Sequence, residues 1–359
     1  MIDRQSAFTG TRDAAPALAI DIGRLADYLN AQAVAAARPT AVRQFKGGQS
    51  NPTYLVDSPA GAYVLRRKPP GRLLHSAHAI EREFRVMAAL GQAGFPVPPV
   101  RHLCLDETVI GTAFYLMDHV AGRIVWEPAM PGVAPAERGA IYRAMNATLA
   151  RLHRYDPAAL GLGDFGRGAN YVARQIARWS EQYRASRTAE IAAMDRLAEW
   201  LPTAVPPQAR IAIVHGDYRL DNLVLAPERP EILALLDWEL STLGDPVADF
   251  TYHLMQWFMP PSESGAGTGS LLGLDLGSLG IPSADAHIDA YERATGLAVR
   301  DHLDFYLAYN FFRLAAVLQG IVGRVRDGTA ANADAAVMEA QVRPLAEAAW
   351  QFAKRAGGV

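Results

Sequence analysis

The sequence predicts an α+β fold of two lobes, a five-stranded N-terminal lobe followed by a mostly helical C-terminal lobe. The chain of 359 residues is too long for one comfortable hydrophobic core. Short apolar segments of strand length are concentrated between residues 42 and 120, and beyond Gly122 the apolar residues recur mainly at helical spacing. These observations divide the chain into an N-terminal tail and helix (1–37), an N-terminal lobe (38–120) and a C-terminal lobe (121–359).

The elements of the N-terminal lobe are predicted from strand-like segments and turns. Residues 1 to about 16 are polar and are expected to lack regular structure, whereas apolar residues at helical spacing predict a helix over about 17–37. Turns rich in glycine and proline separate the predicted strands. A helix from Ser76 to about Gln92 precedes the last two strands. The five strands are 42–46, 53–57, 62–68, 100–105 and 112–120.

The C-terminal lobe is predicted to contain helices around a group of short strands. The strands are 211–214, 223–225 and 232–236. Residues 260–282 are dense in glycine, serine and proline and predict one long loop, of a length that is typical of lids or disordered segments. The predicted helices are 135–154, 168–185, 187–201, 246–259, 283–295, 300–326 and 332–355.

Composition excludes several classes of protein. The formal charge of −2 gives no reason to expect a nucleic acid or an anionic membrane as a partner. The single cysteine, Cys104, excludes a disulfide framework. No apolar run approaches the ~20 residues of a membrane span, and the N-terminus lacks the apolar region of a secretory signal. We therefore expect a soluble, cytoplasmic protein.

Three polar residues lie at fixed spacing in the stretch 211–250. Asn222 follows Asp217 by five residues, and Asp237 lies fifteen residues further on. Because the apolar runs around them predict short strands, the three side chains are expected around one small volume. Transfer of a γ-phosphoryl group needs a carboxylate to orient the attacking hydroxyl and a metal to neutralise the phosphates. Asp217 is the candidate base, and Asn222 and Asp237 are oxygen ligands suited to Mg²⁺.

The sequences HGDYRLDN and LLDWE around these residues resemble those of the aminoglycoside phosphotransferase/choline kinase family of small-molecule kinases. This resemblance implies a protein-kinase-like bilobal fold, ATP and Mg as cofactors, and a small-molecule hydroxyl as the acceptor. The missing DFG and APE elements argue against a true protein kinase. His215 is expected to fix the loop through hydrogen bonds. Asp245 and Asp249 are candidates to orient the same loop, and Asp245 is equally suited to cap a helix.

The turn KGGQSNP between the first two predicted strands is the candidate nucleotide loop. Its glycines let backbone amides approach phosphates without an intervening side chain. The turn does not match GxGxxG, so its position in the lobe counts for more than its pattern. Its continuation, GGQSNPTYLV, resembles the nucleotide loop of the family. The candidate nucleotide-binding residues in it are Gly47, Gly48, Gln49, Ser50 and Asn51.

A cation on the next strand is expected to hold the phosphates, paired with a glutamate on the following helix. The segment VLR places Arg66 there, where the family more often carries lysine, and Lys68 shares the strand face and stays an alternative. Glu83, at the edge of the buried helix face, is the predicted partner. The strand ending at Asp118–Val120 resembles the segment that receives adenine through backbone groups.

A closer resemblance is to the kinase-like domain fused ahead of certain acyl-CoA dehydrogenases, carried by FKGGQSNPTYLV and DWELSTLGDPVADF. It implies a hydroxyacyl-CoA acceptor and an acyl-CoA dehydrogenase as a partner in the same pathway. From residue 260 onward, eleven acids stand against eight bases, too even a charge to attract a polycationic aminoglycoside. Part of an aromatic cluster is expected to wall an acyl chain, with Arg313 at its polar end: Phe305, Tyr306, Tyr309, Phe311, Phe312 and Leu314.

Two alternatives stay open at this point. One is an aminoglycoside or amino-alcohol kinase, which would use the same catalytic residues on a different acceptor. The other is a catalytically silent kinase-like binding protein. Intact Asp217, Asn222 and Asp237 argue against silence, whereas Arg66 in the place of the usual lysine leaves it open.

Overall fold

The computed structural model describes residues 4–34, 38–47, 51–70, 79–261, 269–326 and 335–359. Its largest sheet is antiparallel throughout and has the strand order β1-β2-β3-β4-β6-β5. The strands are β1 (Thr11–Arg12), β2 (Ala41–Phe45), β3 (Thr53–Ser58), β4 (Gly61–Arg67), β5 (Val100–Cys104) and β6 (Phe114–Asp118).

This sheet has six strands, so the prediction of five is wrong by one. The additional strand β1 lies in the N-terminal segment that was expected to lack regular structure, and a short helix, α1 (Arg4–Phe8), precedes it. Thr11 pairs with Phe45 and Arg12 with Gln44 at the edge of β2. A strand of two residues is too short to show an alternating pattern, so nothing in the sequence indicated it.

Helices cover the two faces of the sheet, and side chains alternate between them along each strand. Leu65 of β4 packs with Leu25 and Leu29 of α2 (Ile22–Ala31). Helix α2 is shorter than the predicted 17–37, because the Asp21 side chain caps its first turn by accepting the N–H of Arg24.

The other face of the sheet contacts α3 (Ile80–Gln92). Val64 of β4 and Met117 of β6 pack there with Val86 and Met87 of this helix. The start predicted for α3 at Ser76 lies outside the described residues. Because Arg66 lies two residues after Val64, it extends from β4 towards the same face, where the active-site cleft is formed.

Two small antiparallel sheets carry the motif residues of the second lobe. One pairs β7 (Ala212–Val214) with β10 (Thr242–Gly244), and the other pairs β8 (Leu223–Leu225) with β9 (Ile232–Leu235). The linker between the lobes is held against β8, because the peptide groups of Arg123 and Leu225 exchange two hydrogen bonds of 2.9 Å. A Cβ at Gly122 would lie only 2.4 Å from the Leu225 carbonyl oxygen, so only glycine fits this close approach.

Helices form the rest of the second lobe, with bounds close to those predicted. The predicted loop 260–282 contains one short helix, and residues 262–268 lie outside the described part of it. The helices are α4 (Pro135–Arg154), α5 (Tyr171–Ser186), α6 (Ala192–Trp200), α7 (Pro246–Leu254), α8 (Leu276–Leu279), α9 (Ala284–Thr295), α10 (Leu303–Arg326) and α11 (Ala335–Arg355).

Helix α10 is the central helix of this lobe, and it packs against α5, α7 and α11. With the turn before it, it spans Arg300–Arg326 and is long and apolar enough to cross a membrane by composition, but 78% of its most apolar window is buried inside the protein. Its five aromatic residues between 305 and 312 are all at most 3% exposed, and Leu314 is partly buried in the same core. The expected acyl-binding wall is therefore wrong for these aromatic residues, because neighbouring helices cover more than one face of α10.

A buried histidine pair makes stability depend on pH. The Nε2 atoms of His253 and His287 lie 3.1 Å apart, and burial lowers the pKa of His253 from 6.5 to about 4. Between pH 6.5 and pH 4, His253 binds a proton more readily in the unfolded chain than in the folded protein. The folded protein therefore loses stability as the pH falls below 6.5, by up to about 3 kcal/mol for one histidine.

We expect the free energy of unfolding to fall between pH 7 and pH 5, and to fall less steeply in His253→Gln. Urea denaturation at several pH values measures both slopes. His302→Gln removes an exposed histidine and should retain the wild-type slope. Equal pH dependence in His253→Gln and the wild type would contradict the assignment.

Candidate active site

A buried carboxylate holds the loop that follows β7. The Asp249 side chain accepts the backbone N–H groups of His215 at 2.7 Å and Gly216 at 2.8 Å. His153 Nε2 lies 3.0 Å from the same carboxylate. Burial alone would raise the pKa of Asp249, but the bonds from His153 and from the His215 backbone lower it below the usual value. Asp249 thus stays charged and fixes the loop, whereas Asp245 caps α7 by accepting the N–H of Val247.

His215 joins this loop to the end of β9. Its Nε2 lies 2.9 Å from the carbonyl oxygen of Leu236, and because a carbonyl only accepts, Nε2 carries the proton. Nδ1 is then the acceptor for the N–H of Asp217 at 3.3 Å. Gly216 has a φ of 84°, and a Cβ there would lie 2.8 Å from the Leu240 carbonyl oxygen. The loop conformation therefore requires glycine at this position.

Asp217 is held in one orientation by three side chains. Tyr252 donates its hydroxyl to Oδ1 at 2.7 Å, and Arg219 Nε lies 3.4 Å from the same oxygen. Asn222 donates its amide to Oδ2 at 3.2 Å and to the Asp217 carbonyl at 2.8 Å. Burial and the Asp217 charge raise the pKa of Tyr252 above its ordinary value, so the phenol keeps its proton and acts as a donor. The Asp217 side chain is 22% exposed and accessible to a small molecule.

Asn222 and Asp237 form a donor set that suits a hard cation. The two bonds of the Asn222 amide nitrogen to Asp217 leave its oxygen as the free end, and no described residue donates to that oxygen. Asp237 lies two residues beyond the end of β9 and has φ 64° and ψ 63°, a left-handed conformation that is uncommon outside glycine. One carboxylate and one amide oxygen facing the same cleft fit Mg²⁺, which prefers a few oxygen ligands.

Arg66 is buried among three carboxylates, one from α3 and two from the turn that follows β9. Its Nε lies 3.0 Å from Glu83 Oε2, and one Nη lies 2.6 Å from Asp237 Oδ1 and 3.3 Å from Glu239 Oε2. Burial opposes the charge of Arg66, but Asp237 and Glu83 outweigh this effect and raise its pKa. Tyr115 donates its hydroxyl to Glu83 at 3.1 Å. The cation predicted at the phosphate site is thus fixed in the cleft between the two lobes.

Lys68, the alternative cation, lies in a different environment. Its Nζ pairs with Glu81 at 3.3 Å, and both side chains are substantially exposed. Asn51 of the predicted nucleotide loop is fully buried and donates its amide to Glu83 at 3.1 Å. The predicted binding residues Gly48, Gln49 and Ser50 lie outside the described residues.

A cleft of about 200 Å³ adjoins these charged groups. Arg66, Asn222 and Asp237 line it together with Gly47. The side chains that form its apolar lining include Val64, Met87, Met117, Val224 and Leu236. A mostly apolar cleft with a few polar or charged groups is the usual form of a site for a small molecule or cofactor.

The segment predicted to receive adenine also lines this cleft. The N–H of Asp118 donates to the Pro99 carbonyl, and the N–H of His119 donates to the Ala62 carbonyl. The peptide N–H and C=O of Val120 bond to none of the described residues. The side chain of Asp118 instead forms an ion pair with Arg101. Val120 is therefore a residue of this segment whose N–H and C=O are both available to a planar base.

Sequence reasoning missed several residues that contact the motif. Arg219 and Glu239 follow Asp217 and Asp237 by two positions, and that spacing was the only signal for them. Tyr252 comes from α7 and reaches Asp217 through packing alone. Arg313 was expected beside an acyl chain, but it is buried, donates to the Gly216 carbonyl at 2.6 Å and lies 4.8 Å from the Tyr252 ring centroid. Arg313 thus holds the backbone of the loop after β7 that carries Asp217, which we call the catalytic loop.

Residues 41–271 match the sequence profile of the phosphotransferase enzyme family known as APH. The chain belongs to this family. Members of this family and their structural neighbours are small-molecule phosphotransferases that act on hydroxyl groups. The match includes every motif described above.

Two curated relatives of the chain are larger proteins. Acyl-CoA dehydrogenase family member 10 of Mus musculus is 47% identical over 322 residues, which cover 89% of this chain and 30% of the relative. Family member 11 of Gallus gallus is 43% identical over 316 residues, or 88% of this chain and 40% of the relative. The chain thus corresponds to less than half of these proteins.

Solved structures share the fold over nearly the whole chain. A protein from Ralstonia eutropha JMP134, provisionally described as an aminoglycoside phosphotransferase, is 46% identical with a TM-score of 0.84, covering 94% of this chain and 99% of its own. A spectinomycin phosphotransferase, in complex with ADP and spectinomycin, gives a TM-score of 0.60 at 11% identity over 93% of this chain and 99% of its own. At that identity the second comparison supports the kinase-like fold alone.

We expect Tyr252→Phe to lower kcat roughly tenfold, the usual worth of a hydrogen bond to a charged group, and to leave the KM for the nucleotide unchanged. Steady-state kinetics with an acceptor whose hydroxyl the enzyme phosphorylates measure both constants. The matched control is Tyr306→Phe, which also removes a 2.7 Å hydroxyl–carboxylate bond, but at Asp245. An equal loss of kcat in both variants would indicate a general effect on folding and not the orientation of Asp217.

Proposed function

We propose that this phosphotransferase moves the γ-phosphoryl group of ATP, with Mg²⁺, to the hydroxyl of a small molecule, and that the acceptor is a hydroxyacyl-CoA. The observation that carries the proposal is that Arg66, Asn222 and Asp237 line one cleft and that Asn222 is hydrogen-bonded to the Asp217 carboxylate. Phosphoryl transfer requires a carboxylate that orients the acceptor hydroxyl, ligands for a metal ion and a cation that binds the phosphates.

The proposed nucleotide site uses the groups that line the cleft. The peptide of Val120 would bind the base, and the apolar side chains would enclose it. Arg66 would bind the phosphates, and Asn222 and Asp237 would hold the metal through oxygen atoms. Mg²⁺, when bound, neutralises phosphate charge. Because Asp237 now pairs with Arg66 at 2.6 Å, we expect Arg66 to turn from this carboxylate towards the phosphates when the nucleotide binds.

In the proposed transfer, Asp217 binds the acceptor hydroxyl and orients its oxygen towards the γ-phosphorus. A new O–P bond forms to the acceptor, the bond between the γ-phosphorus and the bridging oxygen breaks, and the hydroxyl proton moves to Asp217. Tyr252 and Asn222 hold the carboxylate in place throughout, so little reorganisation is needed. Arg219 lies beside Asp217 and would help to hold its ionised carboxylate in place before the proton arrives.

Similarity to the acyl-CoA dehydrogenase family supports the proposed acceptor. The relatives that carry this name are up to 47% identical to this chain. The near balance of acids and bases beyond residue 260 also disfavours a polycation. On this proposal the protein works in the cytoplasm, in the same pathway as an acyl-CoA dehydrogenase. An aminoglycoside or amino-alcohol kinase and a silent kinase-like protein are the alternatives that the experiment must separate.

The test is a phosphoryl-transfer screen under Mg·ATP with hydroxyacyl-CoAs, amino alcohols and kanamycin-type aminoglycosides, read by ADP release and by ³¹P NMR of the product. We expect transfer to a hydroxyacyl-CoA, reduced roughly 10²–10⁴-fold in Asp217→Asn, the usual worth of a positioned base. The affinity for ATP should remain. Glu228→Gln removes an exposed carboxylate in the β8–β9 turn and should retain full activity.

Two results would contradict parts of this proposal. Turnover of an aminoglycoside but of no hydroxyacyl-CoA would contradict the acceptor and leave the catalytic assignment intact. Nucleotide binding without transfer to any compound in the screen would favour the silent binding protein.

A further inference from the structure

The N-terminal segment crosses from the large sheet to the linker between the lobes. We call residues 4–12, which comprise α1 and β1, the strap. On the sheet side, β1 pairs with β2, and the Gly10 carbonyl accepts the N–H of Lys46 at 3.1 Å. On the linker side, Gln5 donates its amide to the Ile124 carbonyl at 2.9 Å and accepts the N–H of Trp126 at 3.3 Å. The strap is thus attached on both sides of the cleft opening.

The strap contributes an aromatic side chain to the cleft itself. The rings of Phe8 and Trp126 lie 4.9 Å apart between centroids, tilted by 33°. Both residues line the cleft together with Gly47 and Ile124. A Cβ at Gly47 would lie 3.3 Å from the Trp126 indole, so the aromatic pair packs directly on the start of the nucleotide loop.

The position of this pair indicates which part of a ligand it meets. Trp126 and Ile124 follow Val120 in the linker, and Val120 has the free peptide group suited to a base. Arg66 lies on β4 and Asp237 lies in the turn after β9. Phe8 and Trp126 lie on α1 and in the segment after Val120, so the aromatic rings and the charged groups belong to different parts of the chain. Aromatic faces bind planar bases and sugar rings well and bind phosphates poorly.

We propose that the strap completes the nucleotide site, with Phe8 and Trp126 packing on the nucleoside part of the ligand. This inference rests on the proposed function, because it presumes that the cleft binds a nucleotide. Since the contact is with the nucleoside, its loss weakens the binding of adenosine and of ATP by the same factor. A contact with the phosphates would weaken ATP binding alone.

The test is calorimetric titration of ATP with Mg²⁺, and separately of adenosine, into the full chain and its variants. Loss of one aromatic contact in Phe8→Ala should weaken both ligands roughly tenfold, and Phe8→Leu, which keeps apolar bulk, should weaken them less. Phe8→Ala combined with Trp126→Ala should weaken binding by less than the product of the single effects, because the two rings act as a pair. Asp13→Ala, an exposed change just beyond the strap, should bind like the wild type.

Each other result contradicts a particular part of the proposal. Unchanged affinity in Phe8→Ala would show that the ring does not touch the nucleotide, and tighter binding would show that the strap blocks the cleft. Weaker binding of ATP with unchanged binding of adenosine would place the ring at the phosphates. Failure of the unaltered chain to bind either ligand would overturn the proposed function and this inference together.

Discussion

The buried charge of Arg66 is the interaction on which the arrangement of the cleft depends. A guanidinium removed from water is costly unless it is paired, and its partners come from α3 and from the turn after β9. This requirement sets the distance of α3 from β4 and brings Asp237 of the second lobe against the first. The same pairing holds together the cation that we propose binds the phosphates and the carboxylate that we propose binds the metal.

The catalytic loop depends on a second set of buried polar contacts. Asp249 accepts the backbone N–H groups of His215 and Gly216, and Arg313 donates to the carbonyl of Gly216. Backbone donors and an acceptor of the loop therefore have partners inside the core. Such a loop has few alternative conformations. Asp217 can therefore be oriented by Tyr252 and Asn222 at its exposed end, while the left-handed backbone of Asp237 is held by β9 and the turn after it.

Local patterns in the sequence predicted most elements, and packing decided what they missed. The spacing of Asp217, Asn222 and Asp237 is local and readable, and the strands around them are short, continuous apolar runs. The two residues of β1 are too few to form a pattern. The prediction that aromatic residues of α10 wall an acyl chain was wrong, because composition does not show which neighbouring helices cover a helix surface. Tyr252 and Arg313 reach the loop only through tertiary packing, so no spacing could have indicated them.

The most direct test of this account is the affinity of Arg66→Ala for ATP and for adenosine, compared with that of Lys68→Ala. The account predicts that Arg66→Ala loses affinity for Mg·ATP but still binds adenosine, which also shows that the variant is folded, and that Lys68→Ala binds both ligands as the wild type does. Loss of ATP affinity in Lys68→Ala, with Arg66→Ala unaffected, would contradict the assignment of Arg66 to the phosphates.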